Sequence, residues 1–276
     1  MAAFTGAELR QSRIINPETG RGIVVAMDHG LFLGPIEGLE STRKAIEAVL
    51  PGNPDAIQMT PGMVRANRDL FSGRGKPGIV LRVDATNIWR KKPEPNPGYY
   101  AQVASVRTAI QLGADAVVTF LLSGHEDDTQ EKGNLETLAA AFQECQDFGI
   151  PFIIEPLAIK KGMHVVQDFE IMKLVVRMAS EMGADLIKAD YPGNRKAFGE
   201  LVRLSSAPIL VRGGPKMDSD RDVLQMVKDA MEEGAAGLVF GRNIWQHKHP
   251  AKILRALAAI VHENMSIQKA LALVSR

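Results

Sequence analysis

Eight short aliphatic runs, most of them followed by an amphipathic stretch, restrict this chain more than any other feature of it. The runs are Ile23 to Met27, Ala56 to Met59, Ile79 to Val83, Ala116 to Phe120, Phe152 to Glu155, Leu186 to Ala189, Ile209 to Val211 and Gly237 to Phe240. They are near-continuously apolar rather than alternating, as parallel strands covered on both faces should be. Helical patterns occupy Thr42 to Leu50, Tyr100 to Leu112, Leu135 to Phe148, Phe169 to Met182, Arg195 to Leu204, Asp222 to Glu233 and Pro250 to Val261, the last with proline at a first-turn position. Gly113, Gly149, Gly183 and Gly234 stand between a helical pattern and the next run. Glycine there is the left-handed stop signal of a helix. One βα unit is thus used repeatedly. Eight such units close a parallel barrel in roughly 250 residues, and the chain has 276. The expected fold is α/β, a single (β/α)₈ TIM barrel domain over residues 1–276, with residues 1 to about 20 as an N-terminal extension covering its base. An open doubly wound sheet is the rival architecture, and the strand count favours closure.

Composition narrows the partners. The formal net charge is +1, which gives no reason to expect a nucleic acid or an anionic membrane. No apolar run approaches the roughly 20 residues needed to span a bilayer. Met1 to Gly6 lacks the basic and apolar regions of a signal peptide. Cys145 is the one cysteine, so no disulfide forms within the chain, and a reducing cytoplasmic location is expected. A homo-oligomer is expected as well.

The run Ala184-Asp185-Leu186-Ile187-Lys188-Ala189-Asp190 proposes the chemistry. In a buried barrel strand its lysine points inward, where lysine is rarely tolerated without a partner or a task. Desolvation lowers a lysine pKa because it penalises the ammonium. A neutral amine attacks carbonyls and forms a Schiff base. Other polar groups stand where the strands run out, the place of chemistry in such barrels. They are Asp28 and His29 after the first run, Asp84 and Asn87 after the third, Glu155 at the end of the fifth, and Asp190 and Tyr191 after the sixth.

The last two runs end in glycine and cations: Arg212-Gly213-Gly214-Pro215-Lys216 and Gly241-Arg242-Asn243-Ile244. Loops after strands 7 and 8 frequently hold phosphate through backbone N–H groups and a short helix N-terminus. Arg212, Gly213, Gly214, Lys216, Gly241 and Arg242, with His29 and Asp84, are therefore the expected substrate and phosphate contacts. Cys145 falls within a helical pattern and reads as an inert apolar residue. His164 falls in a polar loop, and His247 and His249 in a solvated helix start. Pro93 to Pro97 reads as a stiff surface loop, with a lid or an oligomer contact as its other uses. No His/Cys cluster of metal-site spacing is present.

With these residues in view, the chain resembles the archaeal-type (DhnA/DeoC-like) class I aldolases. Gly22 to Gly38, with Met27-Asp28-His29-Gly30 and Gly34-Pro35, is similar to that family's first βα unit. The resemblance continues through Gly183 to Lys188, Arg212-Gly213-Gly214 and Gly241 to Gln246, and covers nearly the whole chain from about Ser12. The relatives include class I fructose-bisphosphate aldolases, aminodideoxyheptulosonate synthases and the thiolase of phosphorylated autoinducer-2. That thiolase is especially similar, in Ser12-Arg13-Ile14, Asn16-Pro17, Thr19-Gly20 and His247 to Pro250. The resemblance implies Lys188 as the Schiff-base lysine, Asp28 as its polar catalytic partner, and Gly213, Gly214, Gly241 and Arg242 as a phosphate cradle. The archaeal aldolases carry an acid/base tyrosine after the fifth strand, where this chain has Leu157. Glu155 is the candidate substitute.

The expected function is a Schiff-base aldolase cleaving or forming a carbon–carbon bond in a phosphorylated ketose or related sugar phosphate. Lys188, Asp28 and Glu155 are its catalytic residues, and no cofactor or metal is expected, because the iminium is itself the electron sink. Thiolase-like acyl transfer from a phosphorylated diketone to coenzyme A is the alternative within the same scaffold. A non-catalytic phosphate-binding barrel is the alternative of another class, and it has no need of an inward Lys188.

Overall fold

A computed structural model of the chain describes residues 2–90, 98–125, 128–160 and 164–275. Eight parallel strands close a ring: β1 Gly22–Ala26, β2 Ala56–Met59, β3 Gly78–Arg82, β4 Ala116–Ser123, β5 Phe152–Lys160, β6 Leu186–Asp190, β7 Ile209–Arg212 and β8 Gly237–Phe240. Each pairs with its neighbours in order, and β8 returns to β1 with Val24 opposite Val239. This is the expected (β/α)₈ barrel. The rival open sheet would leave β1 and β8 unpaired with one another.

Alternation along each strand sorts the side chains. Val24, Ala56, Val80, Val118, Ile153, Leu186, Leu210 and Val239 turn inward and fill the lower barrel as one apolar cluster. The intervening residues, among them Val25, Ile57, Leu81, Ile154 and Ile187, turn outward into a second core beneath the helices. Ile14 plugs the base of the inner cluster and is fully buried. It follows a helix, Ala2–Gln11, whose Arg10 donates to Gly149 O at 2.6 Å. The opening residues thus cover the base of the barrel.

The four glycine joints have φ of +75° (Gly113), +57° (Gly149), +84° (Gly183) and +98° (Gly234), the conformation that ends a helix at little cost only in glycine. The aspartates nearby close the base. Asp55 Oδ2 accepts from Ile23 N, Asp115 Oδ2 from Ile79 N and Asp185 Oδ2 from Phe152 N, at 2.7 to 2.8 Å. Each satisfies a strand-opening N–H that the ladder leaves free.

Several elements differ from the expectation. Tyr100–Gln102 is a strand, antiparallel to Asp84–Thr86, and the helix after it is only Val106–Gln111. Ser105 sets that start, its Oγ accepting from Thr108 N at 3.1 Å. The helix before β5 begins at Asp128, a turn or two earlier than its apolar pattern. β5 does not stop at Glu155 but continues through Pro156 to Lys160. It pairs with β6 only at Ile153 and Ile154, and proline is tolerated in a strand whose edge is unpaired. Its end turns back so that Lys160 lies opposite His164, in a short strand rather than a loop. Helices Pro61–Asn67 and Ile267–Ser275 were not anticipated, their apolar patterns being short. The Pro93 to Pro97 stretch lies outside the described residues.

Candidate active site

The alternation that fills the lower barrel with apolar groups places a polar layer directly above it. Gln58 stands above Ala56, Arg82 above Val80, Glu155 above Ile153, Lys188 above Leu186 and Arg212 above Leu210. Five strands therefore aim five polar side chains at one point.

Lys188 is 5% exposed. Its Nζ donates to Glu155 Oε2 at 2.9 Å and to Gln58 Oε1 at 3.4 Å. Glu155 Oε2 also accepts from Arg82 Nη2, and Oε1 from Arg212 Nη1 at 3.4 Å. Arg82 is the hub of the layer. Its Nε donates to Asp28 Oδ2 at 2.9 Å and its Nη1 to Asp84 Oδ1 at 3.0 Å. Its guanidinium carbon lies 3.8 Å from the Phe120 ring centroid, a cation–π distance. Gln58 bridges the two halves of the site, donating to Asp28 Oδ2 at 2.6 Å.

The charges follow from this packing. Burial disfavours the Lys188 ammonium, and with the neighbouring Arg82 it outweighs the pull of Glu155 and Asp28, so the lysine pKa is lowered. Burial works to raise the Glu155 pKa, but Lys188, Arg82 and Arg212 together hold the carboxyl below its usual range. Asp28 is likewise desolvated, and Arg82, Lys188 and His29 bring it down to about 2. The site thus pairs a lysine poised to lose its proton with carboxylates held ionised by arginine.

A cavity of ≈ 420 Å³ is lined by Lys188, Glu155, Asp28, His29, Arg82 and Arg212. It also meets Gly213, Gly214, Gly241 and Arg242. Glycine is required in these two loops. A Cβ on Gly241 would stand 2.5 Å from His29 Cε1, and one on Gly213 2.8 Å from the Phe240 ring. Asn243 ties the loops together, donating to Gly213 O at 2.8 Å and Pro215 O at 3.1 Å. Arg242 Nε is buried without a hydrogen-bond partner, and burial, aided by Arg212, lowers the Arg242 pKa. An unpaired buried cation donor beside the partly exposed Gly214 is what an anion would complete.

Two expected substrate contacts stand elsewhere. Lys216 turns away from the cavity and donates to Gln246 O at 2.6 Å, fastening one loop to the next. Asp84 is fully buried and fully occupied, by Arg82, by Thr119 Oγ1 at 2.6 Å and by Phe120 N at 2.5 Å. The Tyr100 hydroxyl lies 3.1 Å from the same Thr119 oxygen. Asn87 has a local role, accepting from Tyr99 N at 2.8 Å. Cys145 is buried in a helix, and burial pushes its thiol up. His247 likewise serves locally, accepting from His249 N at 2.9 Å. Arg82, Gln58 and Asn243 were missed. For the first two, the signal was the one that marked Lys188, a polar residue in an otherwise apolar strand run. Among the described residues no group of three or more His, Cys, Asp or Glu is placed to hold a metal ion.

His29 stands at the rim with its Nδ1 3.7 Å from Asp28 Oδ1 and without a hydrogen bond. Its ring meets Trp245 edge-on at 5.3 Å. Burial, assisted by Lys188 and Arg242 against the pull of Asp28, lowers its pKa from 6.5 to about 4. The unfolded chain therefore binds a proton at this position before the folded chain does. The stability so contributed is complete above pH 6.5 and is lost as the pH falls towards 4. Urea titrations between these values should show the midpoint falling with pH. His29→Gln should flatten that part of the profile, and an unchanged slope in the variant would remove His29 from the account.

Similarity to known proteins converges on this site. Residues 23–247 match the model of the DeoC/LacD family aldolases. An uncharacterized aldolase of Saccharolobus solfataricus is 43% identical over 268 residues, 96% of this chain and 98% of that protein. The 3-hydroxy-5-phosphonooxypentane-2,4-dione thiolase of Escherichia coli is 32% identical over 266 residues, 96% of this chain and 85% of the thiolase. Among solved structures, an archaeal fructose-1,6-bisphosphate aldolase, with its catalytic lysine covalently bound to the carbinolamine intermediate, superposes with a TM-score of 0.79. It is 26% identical, and the match covers 92% of this chain and 98% of that one. From the first barrel strand to the loop after the last, then, the chain belongs to the DeoC/LacD family of aldolases.

Proposed function

We propose that the protein is a class I aldolase that cleaves or forms a carbon–carbon bond in a phosphorylated ketose or related sugar phosphate, through a Schiff base on Lys188. The observation that carries this reading is the inward, buried Lys188 with Nζ 2.9 Å from a carboxylate that two arginines hold ionised. Burial favours the neutral amine of Lys188, which gives up its proton to solvent. The amine adds to the substrate carbonyl, and loss of water gives the iminium. The iminium draws electrons from the adjacent carbon–carbon bond as Glu155 takes the proton of a substrate hydroxyl, releasing an aldehyde and leaving an enamine. Protonated Glu155 returns that proton to the enamine carbon, and water hydrolyses the iminium so formed to the ketone and free Lys188. No metal is needed, because the iminium is the electron sink. Asp28 holds Arg82 and Gln58, and so the groups around Lys188, in place. A non-catalytic barrel would not need a lysine buried in this position.

Leu157, at the position where archaeal aldolases carry their tyrosine, is fully buried against Phe120 and Leu122. Glu155 lies two residues earlier on the same face of β5 and is the ionised group within reach of Nζ. Glu155→Gln is expected to keep Schiff-base formation but slow bond cleavage or proton exchange by roughly 10²–10⁴-fold, the worth of a general acid/base. Single-turnover measurements separate the two steps, and an undiminished cleavage step would assign the proton transfer elsewhere.

Phosphate is assigned to Arg242 and the backbone of Gly213 and Gly214, on the strength of the unpartnered Arg242 Nε. Arg242→Ala should raise KM strongly for a phosphorylated substrate and little for its dephosphorylated analogue. Equal losses for both would show that the corner does not read phosphate. The likeness to the Escherichia coli thiolase supports a second reading, acyl transfer to coenzyme A. It too would run through Lys188, since the Cys145 thiol is buried in a helix. An acyl-coenzyme A product, formed only when coenzyme A is supplied, distinguishes it.

A further inference from the structure

The cavity differs from one side to the other. Its anion-binding corner comes from the loops after β7 and β8. Across the ring, Phe120 stands on β4 and Trp89 on the connection after β3, and Phe32 reaches over from the short helix Gly30–Leu33 to join them. The three rings lie 5.4 to 5.6 Å apart by centroid, packed as a contiguous aromatic cluster. Leu33 and Val165 extend the same wall. Lys188, on β6, lies between the two sides.

The cations divide in the same way. Among the described residues lining the cavity, Arg82 is bound by Asp28, Asp84 and Glu155. Arg212 is bound by Asp190, at 2.5 and 2.8 Å, and by Glu155. Lys188 is on Glu155. Arg242 alone among them has a buried donor without a hydrogen-bond partner. Among the described residues lining that side, a second phosphate would lose its hydration and meet no free cation, only the neutral amide of Gln167, a costly burial of charge. Leu157 belongs to the same apolar cluster as Phe32 and Phe120 and packs behind the wall, fully buried.

We propose that the natural substrate carries one phosphate, and that its remote end is an alkyl or aryl group seated against Phe32, Trp89 and Phe120. This deepens the aldolase reading of the same site and rests on it. It also implies that fructose 1,6-bisphosphate, charged at both ends, is cleaved slowly or not at all.

Calorimetry of the wild-type protein with carbonyl-free probes tests the proposal apart from the lysine chemistry. The probes are inorganic phosphate, ethyl, propyl and butyl phosphate, and butane-1,4-diol bisphosphate. None can form a Schiff base, so a failure here is distinct from a failure of borohydride trapping. Affinity is expected to rise about fourfold for each added methylene, the yield of burying one CH₂. The bisphosphate should bind at least about tenfold more weakly than butyl phosphate, an affinity ratio worth roughly 1.4 kcal/mol. Trp89→Ala, and separately Phe120→Leu, should collapse the ratio of butyl phosphate to inorganic phosphate affinity. Bisphosphate binding as tight as that of butyl phosphate, a flat chain-length series, or a ratio that neither variant moves would each overturn the proposal.

Discussion

Lys188→Ala should lower turnover on the order of 10⁶-fold, the scale on which removing a covalent nucleophile acts, while the barrel stays folded. The fold is expected to survive because Glu155 keeps Arg82 and Arg212 after the ammonium is gone. Lys188→Arg should not restore the reaction, since a guanidinium stays protonated throughout the working range. It would put a larger charge where a titratable amine stood. Turnover within tenfold of wild type in either variant would mean that another group attacks the carbonyl.

The largest loss of stability is expected from Arg82→Met. Arg82 is fully buried, and its three guanidinium nitrogens are shared among Asp28, Asp84 and Glu155. Removing one partner of a buried ion pair costs about 3–5 kcal/mol, because the surviving charge keeps its desolvation penalty without its compensation. Here three carboxylates lose their common partner. Glu155 retains Lys188 and Arg212, and Asp28 retains Gln58, so the heaviest burden falls on Asp84, which keeps only Thr119 and a backbone N–H. Urea unfolding should register a loss at or above the upper end of that range near neutral pH. The loss should shrink as the pH falls and the orphaned carboxylates take up protons. A change below about 1 kcal/mol would show that the network holds geometry without contributing stability.

The barrel was legible because its units repeat. Eight apolar runs and four glycine joints say the same thing several times, and an error in one leaves the others standing. Lys188 and Glu155 were legible for a related reason: in a near-continuous apolar strand, a charged residue at an inward register stands out. The same signal marked Arg82 and Gln58, but a sequence does not tell which polar groups meet across a ring. That depends on the relative stagger of β2, β3, β5 and β6. Lys216 shows the converse. Its position beside Gly213 and Gly214 pointed to phosphate, yet a flexible side chain on a loop follows the nearest free acceptor, here Gln246 O. Tyr100 was read as helical because its neighbours alternate suitably. Its pairing with Thr86 and its contact with Thr119 are tertiary and leave no local trace.

Specificity follows from the same geometry. Leu157, fully buried in the cluster of Phe32 and Phe120, offers no hydroxyl where the related archaeal aldolases carry an acid/base tyrosine. On the proposed reading proton transfer falls to Glu155, which Lys188, Arg82 and Arg212 together hold ionised. The two arginines that keep Glu155 a carboxylate are the same two that are closed to a second phosphate. The proposed catalytic group and the proposed substrate preference would in this way be coupled through one ion network.

Borohydride reduction in the presence of a phosphorylated ketose, followed by intact mass and peptide mapping, tests the central claim most directly. One reduced adduct per chain is expected, on the peptide containing Lys188, and absent from Lys188→Ala. An adduct mapped to Lys216, Lys160 or any other lysine, or one that persists in Lys188→Ala, would contradict the account.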